Sequence, residues 1–522
     1  MTKGALALVL HAHLPYVRST QPGSLEEDWF FQALIECYLP LLDVLEKAVQ
    51  APGVQPRITI GLSPTLLSLL SDGELKQRFP QWLDDRLRLL PRADEALKTA
   101  AQHLEGTIKH HRQGWLDCDG DLIGRFARLQ KQGVADLLTC GATHGYLPLL
   151  RQNPEAIRGQ LRTAVREHQR LIGERPLGIW LPECAYYEGL DLWMRDAGLR
   201  YAVLDGHGLL HGKPRPRFGV YAPICSRNGV AFFGRDSEAT LPVWSAKDGY
   251  PGDPHYREFH RDLGWDLPLE ALAPLGLRQP RPLGLKLHRV TDHQLPLDQK
   301  QPYEPAIAEQ RVGQHARHYL QGRRRQLDGL ANSMEISPLL VAPFDAELFG
   351  HWWFEGPRFL SELFHQGPAE GVQFTRLRDV LSAAGQLQLC DPCPSSWGQG
   401  GYHNYWLNDT NAWVVAEWGR AGDAMVRRCS RGVAREADLL LLQQAARELL
   451  LAQSSDWSFI LRAGTTTGLA KERIERHLER FWQLMSAMDG VEPLPDGWFE
   501  AVHSEDRLFP LIQPLDWAKV GL

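Results

Sequence analysis

Short apolar runs that stop abruptly at reactive side chains fill the first three quarters of the chain, and they restrict its fold more than any other feature. The runs are Ala5–Leu10, Ile58–Gly61, Ala135–Thr139, Gly178–Leu181, Tyr201–Leu204, Leu339–Ala342 and Val372–Thr375. Each has the length and composition of a buried strand, and stretches with helical spacing separate them. Strands alternating with helices argue for a parallel α/β architecture. Seven strands spread over so long a span favour a closed or nearly closed barrel over a small open sheet. With 522 residues the chain can bury a large core and still carry an appendage.

Between the second and third runs, Leu75 to Gly133 is rich in charged residues and Leu at helical spacing, which predicts an inserted helical subdomain. Asn153 as N-cap and Pro154 at the first helical position start a helix that runs to Leu171. From Asn411 to Asp489 strand signals vanish, and Val433–Leu451 and Ala470–Met488 read as helices. The domains expected are a barrel over 1–390, an aromatic and glycine-rich joint over 391–410, and a helical domain over 411–522. Arg323–Arg325 reads as a solvated helix face.

Composition excludes several classes of protein. Charged residues make up 23%, and Lys+Arg 57 against Asp+Glu 63 leaves a net charge of −6. No basic field exists to hold a nucleic acid or an anionic membrane, and no apolar run reaches the ~20 residues of a membrane helix. Met1-Thr2-Lys3 and the following apolar residues imitate a signal peptide, but His11-Ala12-His13 stands where a small-residue cleavage site belongs. Eight scattered cysteines fit a reducing compartment, hence a cytoplasmic protein. Cys390 and Cys393 lack the second pair a zinc site needs and read as free thiols. The 17 Trp exceed what packing ordinarily uses and suggest stacking surfaces in a cleft.

The reactive residues fall just past strand ends: His11 and His13, His144, Glu183, and Asp345 through Trp352 and Trp353. In β/α barrels that rim is where catalytic groups converge. Glu183 alone could be paired to an Arg, and Asp345 alone could be a helix N-cap. Together, among Trp and His, two carboxylates are what glycosidic chemistry needs, one at the anomeric carbon and one to protonate the leaving oxygen. His11 and His13 share a strand face. With His144 and Asp345 they form a candidate metal site, or else they hydrogen-bond sugar hydroxyls or orient the carboxylates; spacing leaves both readings open, and the Trp count favours sugar binding. Trp397 and Trp406 in the Ser396–Trp406 loop offer flat faces to a sugar, or else join the two domains. Ser454-Ser455-Asp456-Trp457 is expected to touch the barrel.

Five segments in order, His11-Ala12-His13-Leu14-Pro15-Tyr16, Ala142-Thr143-His144-Gly145-Tyr146, Trp180-Leu181-Pro182-Glu183-Cys184, Pro343 to Trp353, and Ser454 to Trp457, resemble the motifs of glycoside hydrolase family 57. The resemblance spans nearly the whole chain and, within the family, is to its branching enzymes. It implies a (β/α)7 barrel, a retaining mechanism, no cofactor and no catalytic metal. Glu183 matches the nucleophile and Asp345 the general acid/base. His11, His13 and His144 match substrate-binding positions, Trp397 and Trp406 match aromatic groups lining the cleft, and Trp352 and Asp456 are expected to bind substrate beside them. The implied partner is an α-1,4-glucan, as donor and acceptor, with a place in glycogen synthesis. Some branching members carry a long loop with a tyrosine over the cleft; here Asp205–Phe232 is short and Tyr221 is its only tyrosine. The rivals are an α-amylase or 4-α-glucanotransferase with the same carboxylates, a metal-dependent deacetylase-like hydrolase, and a glucan-binding protein without chemistry.

Overall fold

Leucine-rich and β-branched runs, too short to be helices and buried on both faces, pair side by side as parallel strands. The computed structural model describes residues 4–432 and 436–519. Its principal strands are β1 (Ala5–Ala12), β2 (Ile58–Leu62), β3 (Ala135–Leu138), β4 (Gly178–Ile179), β5 (Tyr201–Leu204), β6 (Ala231–Gly234) and β7 (Leu339–Asp345). One sheet runs β3-β2-β1-β7, and β4-β5-β6 belong to a second, all pairs among these strands being parallel. Hydrogen bonds join the two sheets at both seams. Trp180 N–H donates to the Thr139 carbonyl at 2.8 Å, and Asp236 N–H, just past β6, donates to the Val341 carbonyl of β7 at 2.9 Å. This arrangement is consistent with a barrel of seven parallel strands.

Alternation along the strands separates two cores. Ala7, Val9, Val203, Phe233 and Val341 fill the interior with Trp180, whereas Leu6, Leu8 and Leu10 pack outward against the helices. Six of the seven expected strands are present. Val372–Thr375 is not one of them: it touches β1 only through an isolated bridge, Leu6 to Phe374. The seventh strand is Ala231–Gly234, whose four residues hold no β-branched side chain and gave no pattern to read.

Residues 75–133 form helices within Gly73–Leu89, Lys98–Asp117 and Leu122–Lys131. Asn153 is the N-cap residue of the helix Pro154–Ile172, as expected, but its side chain makes no capping bond; its amide donates to Asp423 at 2.6 Å, tying the barrel to the helical domain. Arg323 corrects the solvated-face reading. It is buried, bonds Glu238, and lies over the Tyr319 ring, while only Arg325 of the three is exposed. The C-terminal region contains helices Ala412–Ser430, Glu436–Ala452, Ser455–Ala463, Thr467–Met488 and Trp498–Glu505. Met1–Lys3, and Val433 at the start of an expected helix, lie outside the described residues. Among the described residues no helix is long and apolar enough to cross a membrane.

Candidate active site

The C-terminal ends of the strands deliver their side chains to one cleft of about 360 Å³, walled by Trp29, Trp352, Trp397 and Phe459. Register places His11 directly opposite Asp345 on β7 and Gly61 on β2. A Cβ at Gly61 would meet His11 Nδ1 and the Trp180 Cβ at 3.2 Å, so glycine lets the imidazole and indole approach. Ser454–Asp456, at the start of the helix Ser455–Ala463, enters the same cleft from the helical domain. Ser455 N–H donates to the His144 carbonyl at 3.1 Å, and Trp517 packs against Gly159 to hold the two regions together.

Glu183 sits in left-handed backbone at φ 62°, in a turn immediately after β4. A non-glycine residue held there stores strain, which clusters at functional sites. Among the described residues the carboxylate has no arginine partner. Oε2 accepts from Trp397 Nε1 at 2.9 Å and Oε1 from Ser455 Oγ at 3.2 Å. Burial pushes its pKa up to about 7, with the charges of Asp345 and Asp456 adding to the rise and the Trp397 hydrogen bond opposing it.

Asp345 closes β7 and occupies the N-cap position of the short turn Ala346–Leu348, but its side chain makes no capping bond. The capping explanation therefore fails. Burial and the neighbouring Glu347 carboxylate raise its pKa to about 8, against the pull of His13 and Arg235. Burial thus raises both carboxyls above the ordinary range, and at Glu183 the Trp397 hydrogen bond opposes the rise.

The three imidazoles stack in the cleft floor. His13 and His144 lie 3.9 Å apart between ring centres, and His11 stacks on Trp180 at 4.8 Å. His13 Nδ1 meets Ser63 Oγ at 2.9 Å, and its Nε2 meets both Asp456 oxygens at 3.1 Å. His144 Nδ1 meets Ser455 Oγ at 2.8 Å, and its Nε2 meets His11 Nε2 at 3.0 Å. One ligand atom from each ring lies within 4.8 Å of the others, as a metal site would need. Every nitrogen of His13 and His144 already has a protein partner, however, and only His11 Nδ1 has none. Burial opposes the ionisation of Asp456, yet the charge and hydrogen bond of His13 hold its carboxyl well below the ordinary range.

Two sequence readings need amendment. Trp406 is 1% exposed, stacked on Tyr146 at 4.5 Å, and lies under Gly398, where a Cβ would strike its ring at 2.5 Å. It supports the loop from beneath and presents no face to the cleft; only Trp397 of that loop does. Tyr221 lies at the opposite end of the barrel, its carbonyl accepting from Leu339 N–H where β7 begins. A larger cavity, about 810 Å³, opens at that end and is remote from the carboxyls.

Two groups were missed. Glu347 is held by Tyr38 Oη at 2.5 Å and His13 N–H at 3.0 Å, and burial raises its pKa to about 7. Its position two residues after Asp345 was visible, but the partner Tyr38 was not. Tyr38 belongs to a π-helical turn, Leu34–Tyr38, which also binds His351 through Glu36 at 2.6 Å and Ala346 through Cys37. Such turns recur at functional sites; this one docks the whole segment after Asp345. The second missed group is Ser455, whose neighbour Asp456 drew the attention. Elsewhere, Asp43 with His110 and His111 forms another cluster, but Arg125 already bonds Asp43.

Paired, largely buried carboxyls among indole walls at the C-terminal rim of parallel strands define a glycoside-cleaving type of site. Residues 7–265 match the model of glycosyl hydrolase family 57, and residues 417–517 match that of the 1,4-alpha-glucan branching enzyme C-terminal region. The chain is 33% identical to a 1,4-alpha-glucan branching enzyme of Thermococcus kodakarensis, covering 93% of this chain and 74% of the relative. The chain belongs to glycosyl hydrolase family 57. Its fold is similar to that of the α-amylase AmyC from Thermotoga maritima, with TM-score 0.91, 32% identity and 100% of both chains covered. It is equally similar to a family 57 branching enzyme from Pyrococcus horikoshii, with TM-score 0.90, 31% identity and 99% and 97% covered.

Proposed function

We propose that the protein is a cytoplasmic 1,4-alpha-glucan branching enzyme that acts in storage-glucan synthesis. Glu183 attacks the anomeric carbon of an α-1,4 linkage while Asp345 gives its proton to the departing 4-oxygen. The bond from carbon to that oxygen breaks and a glycosyl ester on Glu183 forms. A 6-hydroxyl of an acceptor glucan then attacks the same carbon, passing its proton to Asp345 and releasing Glu183. The observation that carries this reading is geometric: Glu183 and Asp345 border one cleft, and Glu183 is held by two hydrogen-bond donors, Trp397 and Ser455, as an ionised nucleophile needs, which leaves Asp345 as the acid. Match to the branching-enzyme C-terminal region supports the choice of acceptor. His13, His144, Asp456, Trp352 and Trp397 line the space a glucan would occupy. Eight free thiols suit a reducing compartment.

Transfer requires a sugar hydroxyl to outcompete water at roughly 55 M, which an oriented acceptor does at effective molarities of roughly 10⁵ M or more. A hydrolytic reading draws support from the likeness to an α-amylase and from the position of Tyr221, which cannot cover the cleft. Linkage analysis of amylose after incubation separates the two. Branching yields new α-1,6 bonds with few new reducing ends; hydrolysis yields one reducing end per bond broken and no α-1,6 bonds.

A further inference from the structure

The partners of Glu183 Oε1 form a chain whose proton positions can be deduced. When Glu183 is ionised, Ser455 Oγ donates to it, because a carboxylate only accepts. Having spent its one proton, that hydroxyl must accept from His144, so the His144 proton is on Nδ1. His144 Nε2 is then a bare lone pair, and the 3.0 Å contact to His11 Nε2 requires the His11 proton on Nε2. His11 Nδ1 is consequently left with a lone pair and no donor, and that atom is indeed buried without a hydrogen-bond partner. The three contacts, taken in turn, are consistent with one direction, and the unpartnered His11 Nδ1 ends the chain.

The reverse direction is disfavoured by the far end of the chain. If Glu183 carried the proton and donated to Ser455, each bond would invert and the last N–H would sit on His11 Nδ1. Folded proteins leave a buried N–H without an acceptor more rarely than they leave an acceptor under-satisfied. His11 cannot escape by turning its ring over without breaking its bond to His144, since it is 2% exposed and stacked on Trp180. Burial also holds both rings neutral, their pKa values lying well below the ordinary histidine range.

We infer that Ser455, supplied by the helical domain, is a positioning residue, and that the one-way chain His11–His144–Ser455 holds the proposed nucleophile in its carboxylate form. The inference rests on the role proposed for Glu183. It assigns the three residues a task apart from contact with sugar, and it makes the helical domain part of the catalytic apparatus. Other groups facing Glu183 are Asp345 on β7, Asp456 beside Ser455, His13 after β1, Tyr146, and the Cys140 and Cys184 thiols. None of these supplies an O–H donor to Oε1.

The first test is the pH profile of kcat/KM for the full chain on an activated α-maltoside. Ser455→Ala removes the donor, so the acid limb moves to higher pH by about one unit and kcat/KM at pH 6 falls about tenfold. Ser455→Thr keeps the hydroxyl and restores the limb. A loss equal at every pH, with the limb unmoved, would overturn the inference and leave Ser455 structural. The second test needs no catalysis: ¹⁵N-histidine spectra of the unmutated protein should report His144 as the Nδ1–H tautomer and His11 as the Nε2–H tautomer. The opposite tautomers would contradict the chain outright. If the tautomers are as stated but no glycosyl transfer or hydrolysis occurs, the proposed function fails and the chain stands.

Discussion

Trp397 and Glu183 share two hydrogen bonds across 214 residues: the indole Nε1 donates to Oε2 at 2.9 Å, and the Trp397 backbone N–H donates to the Glu183 carbonyl at 3.0 Å. One fixes the carboxylate and the other fixes the left-handed turn that bears it. Trp397→Phe keeps an aromatic wall and the backbone bond but loses the side-chain donor. A hydrogen bond to a charged group is worth about 1.5–3 kcal/mol, so the Glu183 pKa rises by about one to two units. The acid limb of kcat/KM should move upward accordingly; an unmoved limb would show that the indole N–H contributes nothing to the ionisation of Glu183.

Activity should follow a narrow bell in pH. Glu183 must be deprotonated and Asp345 protonated, and their pKa values lie at about 7 and about 8. Activity therefore falls as pH drops below about 7 and again as it rises above about 8, the two groups titrating as a coupled pair. Asp345→Asn should remove the alkaline limb and reduce turnover of natural glucan by about 10²–10⁴. A substrate with a good leaving group needs little protonation and should keep much of its first-step rate. Equal losses on both substrates would argue that Asp345 is structural.

Trp406 and Trp397 should behave differently when truncated. Trp406→Ala empties a buried site and should cost about 3–5 kcal/mol of stability, read as a fall in the unfolding midpoint. Any activity that remains should show the parental ratio of α-1,6 bonds to reducing ends. Trp397→Ala should lower that ratio, because its ring borders the cleft. A lowered ratio for Trp406→Ala with unchanged stability would return that residue to the substrate.

EDTA treatment should leave the rate unchanged. The imidazole nitrogens of His13 and His144 are engaged by Ser63, Asp456, Ser455 and His11. Inactivation reversed by zinc would instead make the three histidines a metal centre.

The strand ends that bear Glu183 and Asp345 were legible because a parallel strand buried on both faces writes a continuous apolar run. Ala231–Gly234 escaped for want of β-branched residues, and Val372–Thr375 misled because a β-like run can pair through a single bridge. At the site, residue types were readable and partners were not. Ser455 meets Glu183 only because the helical domain docks on the barrel, a tertiary fact without local periodicity. Trp406 looked like Trp397 in sequence, yet the turn at Gly398 buries one indole and aims the other at the carboxylate. Gly350 shows the same limit: at φ 119° its Cβ would lie 1.7 Å from the Glu36 carbonyl, a contact set by the π-helical turn.

Everything turns on whether Glu183 forms a bond to the sugar. A 5-fluoro-α-maltosyl fluoride slows both steps while keeping a good leaving group, so the glycosyl-enzyme should accumulate. Proteolysis and mass spectrometry should then find one glycosyl group, on the peptide that contains Glu183, and none in Glu183→Gln. A label on another carboxylate, or turnover of Glu183→Gln within tenfold of the parent, would contradict the account.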